Sequence, residues 1–473
     1  MENQAFFYAV LYNALFKIQE NRMRPKSLPQ DQGLLFSSRL STLLNPDHEL
    51  LKLAKSIPWE QLELEFSPLF SEGPSRPPLP VRLATGLMIL QHVFNVSDER
   101  VVAMWVENPY WQAFCGYDFL QWELPVHPTS LTRWRQRIGA AGVEKILQAS
   151  IKTAVQTKIV SPQELTKTIS DTTVMPKAIA HPVDAKLIQR SIDRIVRAAH
   201  ATGLHLKRTY RRVSRRMLKE YLRLAHGKKF RKAMKPLGKL QKYLGKLLQN
   251  LDPHLATCPR ELLKEAVIGA KILTQSREDK NKIYSCHEPF VSCIAKGKSH
   301  RPYEFGSKVS LVTSEKSGLA LSMTTHLGNP YDGSLLVQAK TQAERNTGIK
   351  IDRALVDRGY RGHEVTDAQV LVSYTRGLPK ELKKALKRRQ AIEPWIGHMK
   401  QDGKLGRCHL KGPVGDQIHA LLVGVGHNFR MILRKLRLFC VFLLRLCCSW
   451  LLGRSLKIGQ SNQANVLAFS AAR

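Results

Sequence analysis

The stretch Ile351-Asp352-Arg353-Ala354-Leu355-Val356-Asp357-Arg358-Gly359-Tyr360-Arg361-Gly362 decides the fold. Its apolar run is too short for a helix and suits a buried strand, and glycine turns follow it. It stops at an acid. A strand that ends in a carboxylate before a Gly turn is how an α/β sheet presents a side chain to a ligand. Upstream, Tyr303–Val312 and Gly318–Thr325 alternate apolar and polar residues around the turn Ser314-Glu315-Lys316-Ser317-Gly318, which predicts a hairpin. A helix is expected near Ser334–Asn346. Downstream, Ala368–Tyr374 reads as a further strand, and Lys380–Lys400 as a helix kinked at Pro394. The β-rich run Lys167–Val174 opens the series. After it and a helical insertion the order is β-β-α-β-β-α, which is a mixed sheet flanked by helices.

The rest of the chain is arranged around that sheet. Residues 1–30 read as an N-terminal extension, with Met23 a plausible internal start, so the first 22 residues add little to the fold. Residues 31–150 read as an all-α domain. Asn45-Pro46-Asp47 opens one helix, and Ser71–Pro80 is a stiff Pro-rich linker. Val81–Phe94 is apolar on most sides, Ser97 caps the next helix, and Thr129 or Ser130 caps a third after Pro128. That third helix carries Arg133, Trp134, Arg135 and Arg137. Short helices ending in a basic one fit either a helix-turn-helix DNA reader or a plain bundle with its arginines in water. Residues 160–435 would form the sheet domain, interrupted by a helical insertion at 183–280. Residues 436–473 form an apolar and then polar tail.

The charge narrows the partners. The 473 residues carry 74 Lys and Arg against 38 Asp and Glu, a formal charge of +36. Such an excess opposes compaction unless a polyanion screens it. Nucleic acid is the first candidate and an anionic membrane surface the second. Within residues 201–250 sixteen bases face one acid, Glu220. Leu237, Leu240, Leu244, Leu247 and Leu251 form an apolar seam there at alternating spacings of three and four. Backbone phosphates are the natural counterions for this block, with Arg211, Arg212, Arg215 and Arg216 as the expected contacts. Eight cysteines in a chain this long make no disulfide framework and read as reduced thiols of a cytoplasmic protein. The apolar runs near residues 438–452 are split by Arg445 and are too short to span a membrane.

Candidate chemistry gathers on three acids. Asp171 sits inside the first β-rich run, Asp357 ends the strand quoted above, and Glu393 lies in Arg388-Arg389-Gln390-Ala391-Ile392-Glu393-Pro394-Trp395-Ile396-Gly397-His398-Met399-Lys400. On an unbroken helix Arg389, Glu393 and Lys400 fall within roughly 40° of one another. By itself this stretch reads more simply as an exposed charged face with an incidental ion pair. Three acids at the ends of one sheet are a different matter. They can hold two hard cations about 4 Å apart, which activate water and stabilise the leaving oxygen of a phosphodiester.

At these residues the chain resembles the transposases of bacterial insertion sequences, the DDE class with an RNase H-like catalytic domain. The resemblance runs from about Met23 to Arg434. Asp171-Thr172-Thr173-Val174, His181-Pro182-Val183-Asp184-Ala185-Lys186 and Pro302-Tyr303-Glu304-Phe305-Gly306 carry it, and it continues through Gly328-Asn329-Pro330-Tyr331-Asp332-Gly333, Asp357-Arg358-Gly359-Tyr360 and Glu393 with Arg389 and Lys400. It implies that Asp171, Asp357 and Glu393 bind two Mg²⁺ or Mn²⁺ ions, and that Arg389 and Lys400 contact the element's end. It further implies double-stranded DNA as partner, cleavage and strand transfer at terminal inverted repeats, a homodimer or larger assembly on DNA, and a nucleoid-associated, cytoplasmic location without membrane contact. Two departures stand out. Leu386 occupies the place of a tyrosine that relatives often carry three residues before that arginine, and the insertion follows the first strand instead of preceding the glutamate helix. The competing readings are a non-catalytic DNA-binding derivative and a stand-alone RNase H-like nuclease.

Other chemistry-bearing residues rank lower. Cys286 and Cys293, with His287 and His300, have spacings that fit no compact zinc site. His326 and Asp332 lie near the expected sheet as supporting residues. His398 reads as a surface histidine before it reads as a proton carrier, and Trp395 as packing before base stacking. Lys404, Arg407 and Lys411 extend the basic surface.

Overall fold

The structure is a computed structural model, and it describes residues 38–69, 79–254, 258–276, 278–295, 302–375, 377 and 379–451, with side chains to 437. The 1–30 extension, most of the Pro-rich linker, His300 and the polar end of the tail lie outside the described residues.

The N-terminal region is helical: α1 (Leu40–Leu43), α2 (Glu49–Ser56), α3 (Trp59–Phe66), α4 (Val81–Val93), α5 (Asp98–Glu107), α6 (Pro109–Phe114) and α7 (Thr129–Gln156). Its ends follow local chemistry. The Ser97 hydroxyl accepts the Arg100 N–H at 3.2 Å and starts α5. Asn108 Oδ1 accepts the N–H groups of Tyr110 and Trp111 at the start of α6, where Pro109 gives up no needed donor. Neither Thr129 nor Ser130 caps α7. Pro128 is its N-cap, with no side-chain cap, and the Nδ1 of His127 before it accepts the Thr129 N–H at 3.3 Å. Gly139, at φ 60° and ψ −167°, breaks α7 and sets its first arm at its own angle.

The sheet begins with β1 (Lys167–Pro176) and is then interrupted by α8 (Asp184–Ala201), α9 (Arg211–His226), α10 (Phe230–Leu251) and α11 (Arg260–Thr274). These four helices bury a core of their own, and the leucine seam of α10 lies inside it. The chain returns through β2 (Ser292–Ala295), β3 (Tyr303–Ser314), β4 (Ala320–His326), α12 (Asp332–Thr347), β5 (Arg353–Val356) and β6 (Gln369–Val372). The strand order is β2-β3-β1-β5-β6. β4 shares with β2 the edge of β3 that faces away from β1. β3 is antiparallel to β1, whereas β5 and β6 continue the sheet in parallel. This is the expected mixed, RNase H-like sheet. β2 was not foreseen.

Helices cover both faces. On one side Ile169, Val309, Leu311 and Leu355 pack against Ile392, Met399, Ala420 and Val423. On the other, Val312, Leu319 and Leu321 share a core with α12, with the N-terminal helices and with Ile418–Ile432. The N-terminal helices are therefore packed onto the sheet domain through one continuous interior. The segment expected as a single helix kinked at Pro394 is two helices, α13 (Lys380–Arg388) and α14 (Ile392–Gln401), joined by a 3-10 turn at Arg389–Ala391. The break precedes Pro394, which sits in the first turn of α14, where a missing N–H costs no helical bond. The last helix, α15 (Gly412–Leu451), runs through the boundary expected at 435/436. Among the described residues no helix is long and apolar enough to cross a membrane.

Candidate active site

Register brings two of the acids together. β1 pairs in parallel with β5 through Ile169 and Leu355. Asp171 and Asp357 each follow two residues later, so the two side chains leave the sheet at one level. Each aspartate gives one oxygen to a backbone N–H close by in sequence. Asp171 Oδ1 accepts the Thr172 N–H at 2.8 Å, and Asp357 Oδ1 accepts the Gly359 N–H at 2.9 Å. The other oxygen of each faces one cation. Arg389 Nη2 donates to Asp171 Oδ2 at 2.9 Å and lies 3.7 Å from Asp357 Oδ2.

Glu393 completes the group from α14. Its Oε1 accepts from Arg389 Nη1 at 3.5 Å. All three acids thus converge on a single guanidinium, whose side chain is 15% exposed. The 3-10 turn makes this possible, because it carries Arg389 over the end of the sheet while Glu393 stays on the following helix. The turn is held from outside. Arg388 donates to the carbonyls of Glu315 and Lys316, the latter at 2.6 Å, and lies over the Trp395 ring. Trp395 packs on Gly318, where a Cβ would come within 2.3 Å of the indole. Packing is therefore the role this structure gives Trp395.

A fourth acid borders the group. Asp332 opens α12, its Oδ1 accepting from Thr172 Oγ1 at 2.9 Å and pairing with Lys308 Nζ at 2.6 Å. Its Oδ2 and Asp357 Oδ1 would each stand 3.1 Å from a Cβ on Gly359, so glycine keeps a gap open between two carboxylates. Burial pushes Asp171 up to about 6, opposed by the Arg389 charge and helped by the like charges of Asp357 and Asp332. Burial also drives the Tyr360 hydroxyl well above its usual value, with the same acids adding to the effect. Reading the chain linearly gave Asp332 only a supporting place. Its signal is the Gly328–Gly333 turn, which Lys308 pins through Asn329 and the Pro330 carbonyl.

The donor set suits a hard divalent cation, since it consists of carboxylate oxygens alone. A positive group already stands between them, which shows the pocket's preference for positive charge. Among the described residues no three His, Cys, Asp or Glu are close enough to share an ion as they stand. Arg389 occupies the space where they would meet.

The remaining expected residues lie elsewhere. Lys400 is half-buried on α14, roughly 10 Å along the axis from Glu393. Arg133 and Arg137 are exposed on the first arm of α7. Arg135 is not: it is 5% exposed and paired through both terminal nitrogens with Asp98, which removes it from any DNA contact. On α9, Arg212, Arg215 and Arg216 are exposed and Arg211 is half-buried, and Arg211 and Arg215 each pair with Asp193 at 3.1 Å. These four arginines and Lys219 line a groove of about 500 Å³. His398 is exposed and 2.8 Å from Asp402. His326 Nε2 lies 2.9 Å from the Ser310 hydroxyl. Cys286 is buried and Cys293 lies in β2.

Comparison with known proteins places two stretches of the chain in described families. Residues 38–137 match the family described as Transposase domain (DUF772), and residues 273–429 match the Transposase DDE domain. The second match contains Asp357 and Glu393. Asp171 precedes it in sequence but joins it through the sheet. The chain is also 42% identical over 208 residues, 44% of its own length and all of the relative's, to the uncharacterized protein ORF8 in the nfe locus of Rhizobium meliloti. No solved structure matches it. With the N-terminal transposase domain and the Transposase DDE domain in series, the latter on a mixed sheet flanked by helices, the chain belongs to the DDE transposase family.

Proposed function

We propose that this chain binds the terminal inverted repeats of its own insertion sequence and catalyses their cleavage and transfer to target DNA, with Asp171, Asp357 and Glu393 as the ligands of two Mg²⁺ or Mn²⁺ ions. The observation that carries this reading is the convergence of those acids, from β1, the end of β5 and α14, on the one guanidinium of Arg389. Bound divalent ions would supply a polarised water and a counter-charge for the leaving oxygen. The chain's own residues do the remaining work. The Thr172 and Gly359 amides fix one oxygen of each aspartate, so that the other points into the pocket. Gly359 keeps that pocket open beside Asp332. Arg212, Arg216, Arg133 and Arg137 give phosphates exposed cations on two separate elements, and Lys400 extends the contact along α14. Joining two DNA ends to one target calls for a homodimer or a larger assembly on DNA, at the nucleoid in the cytoplasm.

Asp357→Asn tests this. The variant should retain binding to a duplex carrying the DNA that flanks the gene, and should lose Mg²⁺-dependent nicking of it. Undiminished nicking would remove the metal assignment. Wild-type chain that binds the duplex and yields no Mg²⁺-dependent product would be the non-catalytic derivative instead.

A further inference from the structure

The acid cluster is closed by its own arginine. Arg389 touches all three acids, at 2.9, 3.7 and 3.5 Å. Among the described residues its buried Nε has no hydrogen-bond partner, so the guanidinium is held there by its two terminal nitrogens. It sits in a 3-10 turn between two helices, where a change of a few backbone angles swings a side chain without unwinding either helix. The pocket opens outward, since Glu393 is 67% and Asp357 37% exposed. The approach to it is basic: Lys383, Lys384 and Lys387 stand exposed on the helix that leads into the turn.

We propose, resting on the reading of this cluster as the metal site, that Arg389 is its resting counter-ion, and that transfer of the guanidinium to a DNA phosphate is what admits divalent cations. While Arg389 stays inside, one of three negative charges is already neutralised and the carboxylates are spread around a planar group wider than a metal ion. An incoming cation must displace a like charge. A phosphate at the mouth offers the guanidinium a matching two-oxygen partner. Once it leaves, the three carboxylates repel one another and draw in the ions. Metal and DNA then bind with positive coupling, and linkage makes that coupling reciprocal. Metal-activated water is thereby confined to chain that already holds DNA.

The test is Mn²⁺ binding to the full chain, followed by loss of the free-ion electron paramagnetic resonance signal. It is done with and without a duplex from the DNA flanking the gene, and binding to the duplex alone is subtracted. Arg389→Gln should bind Mn²⁺ roughly tenfold more tightly than wild type in the absence of DNA. The duplex should tighten Mn²⁺ binding by wild type and change the variant little. Arg389→Lys keeps the charge but cannot bridge three acids, so it should fall between the two and serves if the glutamine variant does not fold. Equal or weaker Mn²⁺ binding by both variants, or an equal DNA effect in variant and wild type, overturns the proposal. Asp357→Asn separates the two layers. If it binds Mn²⁺ as wild type does, the metal site itself is misplaced. If it loses binding while the Arg389 variants behave as wild type, only the counter-ion role is lost.

Discussion

Replacing Lys177 by methionine asks what holds β1, the strand that carries Asp171. Lys177 follows that strand, is 6% exposed, and turns its ammonium between Asp416 and Glu288, the latter at 3.2 Å. Neither acid has solvent to fall back on, with side chains only 7% and 5% exposed. Their other contacts are few. Asp416 Oδ2 accepts the Ser307 hydroxyl at 2.6 Å and its Oδ1 the Cys408 thiol at 3.3 Å, and Glu288 Oε2 accepts the Gly412 N–H at 3.0 Å. Burial works against the lysine's charge, yet Asp416, Cys408 and Glu288 together hold its pKa above the ordinary lysine value. Methionine keeps most of the length and an apolar stem and removes the ammonium, with its charge and its N–H donors. Two buried carboxylates are then left without a cation, which should cost about 3–5 kcal/mol. Against a total stability of about 5–15 kcal/mol that loss is plain in a urea titration followed by tryptophan fluorescence. Neutralising the acids as well, in Lys177→Met/Glu288→Gln/Asp416→Asn, should restore most of it, because the penalty lies in the unpaired charge. A single variant that loses under about 1 kcal/mol, or a triple variant less stable than the single one, would refute the argument.

The remaining expectations are briefer. Arg212→Glu with Arg216→Glu should weaken duplex binding and reduce the slope of log affinity against log salt by about 2, and an unchanged slope would take the α9 groove out of the DNA interface. Burial lowers His419 and His427 to about 4, each with a ring nitrogen on a backbone carbonyl, at Lys404 and Gly318 respectively. The unfolded chain takes up these protons near pH 6.5 and the folded chain only near 4, so stability should fall as pH drops through that window, by about 1.4 kcal/mol per histidine per unit. A urea midpoint equal at pH 7 and pH 5 would contradict this. Gly318→Ala places a methyl against Trp395 in a backbone conformation of φ +76°, and should destabilise the fold by about 1–3 kcal/mol and reduce nicking by displacing Glu393. A variant as stable and active as wild type would mean that the hairpin turn does not position α14.

What could be read along the chain was whatever local chemistry controls. The strand ending at Asp357, the hairpin, the Ser97 cap and the leucine seam of α10 all depend on neighbours within a few residues. Arg135 shows a signal that was present and overlooked. Arg133 and Arg137 are four apart and share a helix face, whereas Leu131, Trp134, Arg135 and Ile138 follow the three-and-four spacing of a buried stripe. Helical period alone places Arg135 inward. Only its partner Asp98, on another helix, is invisible to a linear reading. Pro394 misled in the opposite way, because a proline marks either a kink or the first turn of a new helix, and the choice depends on what holds the preceding turn. Here Arg388 on the Glu315 and Lys316 carbonyls and Trp395 on Gly318 hold it, and both contacts cross more than seventy residues. The same limit explains Arg389. Its spacing from Glu393 suggested one contact, whereas its reach to Asp171 and Asp357 exists only after β1 and β5 are paired and the helix is broken beside them. The acids could be nominated from the chain, Asp171 and Asp357 by the β-rich runs that hold or precede them and Glu393 by the helix that follows the last strand. The cation between them is a property of the fold, since its contacts with Asp171 and Asp357 join residues far apart in the chain.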